Sequence, residues 1–274
     1  MPGSDSDITF RDVWLRYGTV PALRGVSFDI RAGRLTALLG RNGAGKTSAV
    51  RLALGLRRPD AGTVRVLGAT PGSLAARRRV GAVLQETALP ETLRVRELLR
   101  LFAAYHARPR SFDALVAVSG LADCLAQRYG RLSGGQKRRL QVALALAGDP
   151  RVLLLDEPTT GLDVNARRGV WEGIRALVAE GKTILLTTHY LEEADRLADH
   201  VLVLDEGQLR FSGSPAEMKS RAAAARIRCR STLEHAVLAA LPAVTAVAVE
   251  GGLFEVTSTA PEMTLRALLA ADPH

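Results

Sequence analysis

The chain has 274 residues, 47% of them hydrophobic, a formal charge of +9 and two cysteines. Such a length suits one large domain, or one of ordinary size with a small appendage, and the apolar fraction excludes a disordered chain. Cys124 and Cys229 lie far apart and outside any CxxC spacing, which argues against a disulfide framework or a zinc site and fits a reducing compartment.

Lysine occurs only at Lys46, Lys137, Lys182 and Lys219, so arginine carries the basic excess. That balance suits nucleic acid, an anionic membrane face or phosphate ligands, or simply a composition bias carried on a solvated surface. The N-terminus has no basic patch leading into an apolar run, so no secretory signal is expected. No stretch approaches the roughly 18 to 20 apolar residues of a membrane helix.

Alternating apolar residues over Ile8 to Tyr17 and Val26 to Ile30 read as half-buried strands, with Gly18 to Pro21 as the turn between them. Leu35 to Leu39 is a short apolar run that enters a glycine-rich loop, and a helix is expected over Lys46 to Leu54. Short strands follow at Val64 to Leu67 and Val80 to Leu84. From about Leu93 to Gly148 the pattern turns helical, with Leu98, Leu101, Phe102 and Tyr105, and then Leu140, Leu144 and Ala147, at helix spacing. Val152 to Leu155, Thr183 to Thr187 and Val201 to Leu204 read as buried parallel strands, with helices over Arg167 to Glu180 and Leu191 to Leu197 between them. The fold class is therefore α/β, a mainly parallel sheet covered on both faces.

Near Arg221 the composition shifts to an Ala/Arg-rich run, and a small β-α-β-β-α appendage is expected after it. Its hairpin turns at Gly251-Gly252, and Ser231 and Glu234 have capping-box spacing for its first helix. The expected domains are 7–224, with a helical subdomain over about 86–150, and 225–274. No internal repeat is visible, so a tandem pair of like units is not expected.

Gly40-Arg41-Asn42-Gly43-Ala44-Gly45-Lys46-Thr47 matches the phosphate-loop pattern GxxxxGK[ST] between a strand and a helix. Its glycines let successive N–H groups face one anion, Lys46 reaches β- and γ-phosphates, and Thr47 holds Mg²⁺. Val152 to Leu155 ends in Asp156-Glu157. There Asp156 can hold Mg²⁺ through water, and Glu157 can polarise an attacking water as a general base. Leu132-Ser133-Gly134-Gly135-Gln136 opens a helix and reads either as a second anion-binding N-terminus or as a flexible linker.

In the order phosphate loop, Leu-Ser-Gly-Gly-Gln and Leu-Leu-Leu-Asp-Glu-Pro, the chain resembles the ATP-binding cassette (ABC) family from about Ile8 to Met218. The resemblance implies the ABC-type P-loop fold, with an antiparallel β subdomain and a helical signature subdomain. It implies ATP and Mg²⁺ as ligands, with residues 40–48, Ser48 included, around the phosphates. It also implies a head-to-tail dimer in which Ser133, Gly134, Gly135, Gln136 and Asp163 face the nucleotide held by the other copy. Tyr17 would stack on adenine, Gln85 would sense Mg²⁺ and water, and His189 would contact the γ-phosphate. Lys46, Gln85, Glu157 and His189 form the expected catalytic set, and Thr47, Gln85 and Asp156 the metal set. Asp-Glu-Pro-Thr-Thr-Gly-Leu-Asp and Thr-Thr-His-Tyr-Leu-Glu-Glu-Ala-Asp resemble the bacterial ABC-2, daunorubicin-type exporter branch. Val164 and Leu93-Arg94-Val95 depart from that pattern, the latter where a membrane partner is expected to dock. The implied partners are a separate multi-helix permease and a second ATPase subunit, on the cytoplasmic side of the plasma membrane. No nucleic-acid partner is expected; the alternative, motivated by charge, is a soluble ABC ATPase acting on nucleic acid or the ribosome. The appendage would be regulatory, dimer-stabilising or passive.

Overall fold

A computed structural model describes residues 5–85, 87–223 and 225–272. The chain divides into two compact units between Gly213 and Ser214. This falls before the 224/225 boundary read from composition, so the helix over Pro215–Ala223 sits in the second unit. Six lysines and arginines after Gly213 are matched by six acids, which leaves the whole charge excess in the first unit.

In the first unit, β1 (Ser6–Tyr17) pairs antiparallel with β2 (Val20–Arg31) and β4 (Ala61–Val66). Alternation buries Ile8, Phe10, Val13 and Leu15, and the Phe10 ring stacks on Phe28 at 4.3 Å. The turn is tighter than expected: β2 resumes at Val20, with Pro21 opposite Arg16. Proline is tolerated there because β2 is an edge strand, where an absent N–H breaks no ladder.

The main sheet comprises β3 (Leu35–Leu39), β5 (Val80–Val83), β6 (Val152–Asp156), β7 (Thr183–Thr188), β8 (His200–Asp205) and β9 (Gln208–Gly213). Its order is β5-β6-β7-β3-β8-β9, parallel except for β9. Every residue of β3, β6 and β7 is buried, as strands covered on both faces require. One apolar core links Phe10 and Ile30 of the antiparallel sheet with Leu38, Leu154 and Leu185 of the main sheet. Val50 and Leu52 of α1 (Lys46–Ala53) belong to the same core. Pairing of Leu39 with Thr188, and of Asp156 with Thr187, sets the carboxyl ends of β3, β6 and β7 side by side. Open α/β sheets bind ligands at such an edge.

A four-residue α2 (Leu74–Arg77) precedes β5, and α3 (Val95–Ala104), α4 (Phe112–Ser119) and α5 (Gly134–Ala145) form the helical region. Helix α5 packs on α3, α4 and β5, and on α6 (Val164–Ala179). The buried face of α3 is Val95, Leu98 and Leu99, whereas Leu101 and Tyr105 are exposed, a narrower stripe than their spacing suggested. Helix α7 (Leu191–Leu197) follows β7. Among the described residues, no helix is long and apolar enough to cross a membrane.

The second unit holds α8 (Pro215–Ala223), β10 (Ala225–Cys229), α9 (His235–Ala239), β11 (Val244–Glu250), β12 (Leu253–Ser258) and α10 (Pro261–Ala271). Its antiparallel sheet runs β10-β12-β11, and Gly251 and Gly252 both take positive φ in the hairpin turn. Two successive left-handed residues are what a type I′ hairpin needs. Leu238, Val256 and Leu268 are buried. The expected capping box is absent: Glu234 is the N-cap of α9 without a side-chain bond. Ser231 Oγ instead donates to Asp272 Oδ2 at 2.5 Å and accepts from Leu233 N. The aspartate drew the hydroxyl away because it also accepts from Thr232 N and Thr232 Oγ1, completing a local cluster.

Candidate active site

The phosphate loop leaves β3 at Gly40, whose N–H donates to Thr188 O at 3.2 Å. A Cβ at Gly40 would meet Leu204 O at 2.5 Å, so only glycine lets the loop pass that carbonyl. Gly45 caps α1 with φ +106°, and a Cβ there would meet Ala22 O at 2.5 Å and Leu23 Cδ2 at 2.9 Å. Ala44 N–H donates to Arg41 O, closing the turn.

Lys46, 4% exposed, runs back along this loop. Its ammonium donates to Gly40 O at 2.8 Å and Arg41 O at 3.1 Å, and lies 3.2 Å from Glu157 Oε1. Thr47 Oγ1 donates to Asp156 Oδ1 at 3.4 Å. Thr187 Oγ1 donates to the same oxygen at 2.5 Å and accepts from Glu157 N at 3.0 Å. The other oxygen, Asp156 Oδ2, is buried with no hydrogen-bond partner among the described residues. An orphaned carboxylate oxygen beside a threonine hydroxyl is a hard oxygen donor set, which suits a Mg²⁺ ion that keeps several waters.

Glu157 is 6% exposed and takes φ +47°, the left-handed region that residues other than glycine seldom adopt. Its Oε2 accepts from Thr160 Oγ1 at 3.1 Å and lies 3.4 Å from His189 Nδ1, a nitrogen without hydrogen-bond geometry to any acceptor. Burial pushes the carboxyl up, but the Lys46 hydrogen bond and charge, the Thr160 hydroxyl and His189 outweigh it and hold it below the ordinary range. The His189 ring rests against Tyr190 at 4.0 Å, and Tyr190 in turn carries Arg167 at 4.6 Å.

A cleft of about 690 Å³ brings these groups together. Tyr17, Asn42, Gly43, Gly45, Lys46, Thr47, Ser48, Gln85, Glu157 and His189 line it, with Val20, Pro21, Ala22 and Thr160. Asp156 lies beneath through Thr47. Gly40 and Arg41 lend it their carbonyls through Lys46, and Ala44 is buried in the loop. The Tyr17 hydroxyl is buried without a partner at hydrogen-bond geometry among the described residues, and Arg57 lies 5.3 Å over its ring. Sequence reasoning passed over Thr187 and Thr160; the available signal for Thr160 was its place three residues after Glu157, whereas Thr187 meets Asp156 only through strand register.

Ser133, Gly134, Gly135, Gln136 and Asp163 do not line the cleft. Ser133 caps α5: its Oγ accepts from Gln136 N at 3.2 Å, and Gln136 Oε1 accepts from Ser133 N at 2.9 Å. Asp163 caps α6, accepting from Ala166 N at 2.8 Å. The flexible-linker alternative for this segment fails, since a two-way capping box orders it.

A family model described as "ABC transporter" matches residues 23–160. A "Nod factor export ATP-binding protein I" of Burkholderia orbicola is 47% identical over 219 residues, 77% of this chain and 72% of its own. Among solved structures, an "ATP binding subunit of ABC transporter" is 28% identical at TM-score 0.69, over 77% of this chain and 91% of that one. The cbiO1 protein of Clostridium perfringens, described as part of the cbiONQ transporter complex, is 26% identical at TM-score 0.71, over 80% and 92%. With a phosphate loop, two acids and a histidine gathered at one sheet edge, and relatives of this kind, the chain belongs to the ABC transporter family as one of its ATP-binding, ATP-hydrolysing subunits.

Proposed function

We propose that this subunit powers export through a separately encoded multi-helix permease, as a peripheral protein on the cytoplasmic face of the plasma membrane. The observation that carries the hydrolytic part is the buried contact of Lys46 with Glu157 beside the Thr47–Asp156 pair. Export is inferred from the 47% identical relative, whose own name specifies that role. The nucleic-acid alternative has only charge in its favour.

In this reading, Lys46 and the N–H groups of Gly43, Gly45 and Thr47 bind the phosphates of ATP, and Tyr17 stacks on the adenine. Thr47, Asp156 and the exposed Gln85 hold Mg²⁺. Bound Mg²⁺ supplies charge neutralisation on the phosphoryl oxygens. Glu157 accepts the proton of the attacking water, for which its ionised carboxylate is ready at neutral pH. Thr187 keeps Asp156 aimed, and His189 contacts the transferring phosphoryl group. Ser133, Gly134, Gly135, Gln136 and Asp163 complete the site of a second ATPase subunit, which explains why they stand away from this chain's own cleft. Closing and reopening that sandwich would move the permease.

Affinity purification of the full chain from solubilised membranes tests the assignment. Recovery of a multi-helix protein lacking its own cassette, with ATPase activity, is expected. Recovery of ribosomes or nucleic acid in a salt-sensitive manner, with no membrane protein, would overturn it.

A further inference from the structure

Helix α5 carries Arg138 one turn beyond its capping box, and the side chain is 9% exposed. A guanidinium has five N–H donors in a rigid fork, and each one here meets an acceptor. Nε donates to Pro158 O at 2.8 Å. Nη1 donates to Leu84 O and to Gln141 Oε1, both at 2.9 Å. Nη2 donates to Asp156 O at 3.0 Å and Glu157 O at 2.8 Å. Gln141 is itself oriented, since its Nε2 donates to Tyr129 Oη at 3.0 Å and so leaves Oε1 for the arginine.

All five acceptors are neutral oxygens, so the buried charge is not held by a directly hydrogen-bonded carboxylate. Burying a charge is costly, and apolar packing of similar volume would serve stability as well or better. The acceptors are instead grouped by function. Three are the consecutive carbonyls of the turn that carries Asp156 and Glu157, and a fourth belongs to Leu84, the residue before Gln85. Glu157 occupies a left-handed conformation, φ +47°, that is uncommon for residues other than glycine and that its neighbours hold from both sides. Thr187 holds its N–H side, through both backbone O and Oγ1. Arg138 holds its carbonyl side.

We propose that Arg138 is a positioning residue for ATP hydrolysis, which fixes the turn at Glu157 and keeps it in register with the Gln85 loop and with α5. The helix that presents Ser133 and Gln136 is thereby tied to the hydrolytic carboxylate of the same chain. The proposal rests on Glu157 being the general base. Lysine at this position keeps the charge but offers three donors in place of the planar fork, so the turn would lose part of its support.

The test is steady-state ATPase kinetics with MgADP binding, on the full chain, for Arg138→Lys, Glu157→Gln and the double variant. A displacement near 1 Å costs about a hundredfold in rate, so kcat for Arg138→Lys should fall roughly tenfold to a hundredfold. The MgADP Kd should stay within about threefold, as binding groups are untouched and only a transition-state interaction is lost. In the Glu157→Gln background, Arg138→Lys should lower the residual rate little further, because both act on one step. Should Arg138→Lys fail to fold, Gln141→Leu removes one acceptor and the orientation it gives, and should lower kcat several-fold at unchanged MgADP affinity. Wild-type kcat in a folded Arg138→Lys protein would overturn the proposal. So would a full multiplicative loss on top of Glu157→Gln, or a Kd that worsens as much as kcat. Wild-type turnover by Glu157→Gln alone would instead remove the base assignment on which the proposal rests.

Discussion

Lys46 Nζ lies 3.2 Å from Glu157 Oε1, both side chains almost wholly buried. Burial alone would raise the pKa of this carboxyl, and a cation held at this distance is the largest influence that lowers it instead.

A pH dependence follows. Glu157 is depressed below the ordinary glutamate value of about 4.3, so its contribution to stability is fully present above that value and fades as pH falls through the lower, folded one. Catalytic base function should likewise persist to the acidic end of the range in which the protein stays folded. Replacing Lys46 by Met leaves only the Thr160 hydroxyl and His189 against burial and should raise the pKa of this carboxyl, which carbon-detected NMR titration of a labelled Glu157 would report. An unchanged value in Lys46→Met would show that the pair does not set it.

The adenine role of Tyr17 can be separated from its place in β1. Its hydroxyl meets no partner at hydrogen-bond geometry among the described residues, and Ser48 and Arg51 only lie near enough to lower its pKa against burial, so Tyr17→Phe should change Tm and ATP affinity little. Stacking on a base is worth about 1–3 kcal/mol by alanine substitution, so Tyr17→Ala should weaken ATP binding by roughly fivefold to a hundredfold. Isothermal titration with a nucleotide analogue measures both; equal affinity in the alanine variant would remove the stacking assignment.

Ser133 has a local duty and an assigned one toward the other subunit, and substitutions can tell them apart. Ser133→Ala loses an N-cap worth about 1 kcal/mol, which should lower Tm by about 2–4 °C. Ser133→Asp restores the cap but turns a negative charge toward an incoming phosphate. It should keep the wild-type Tm while abolishing ATP-driven dimerisation in sedimentation velocity. Dimerisation undiminished in Ser133→Asp would leave Ser133 a helix cap alone.

Much of the first unit was legible in the sequence because its signals are local. Leu35–Leu39 is bounded by turn residues, and β3 spans those same five residues. Strand β6 runs one residue past the expected Val152 to Leu155, because Thr187 takes Asp156 as a buried partner in register, and Glu157 is the first residue outside it. Strand β9 is not among the expected strands although Asp205-Glu206-Gly207 turns sharply and Leu209 and Phe211 alternate after it; it is as long as β8, six residues each, but less apolar and partly exposed. Ser231 illustrates a deeper limit. Its spacing to Glu234 satisfies a local rule, yet Asp272, distant in sequence, takes the hydroxyl. Arg138 escaped notice for the same reason: an arginine on a polar helix reads as solvated, and only the fold brings the carbonyls of Leu84 and of Asp156 to Pro158 around it.

Glu157→Gln tests the central assignment most directly, read in one preparation by phosphate release and by sedimentation with MgATP. General bases contribute about 10²–10⁴-fold, so turnover should fall at least a hundredfold while ATP binding persists and an ATP-stabilised dimer accumulates. Hydrolysis at the wild-type rate, with no dimer trapped, would contradict it.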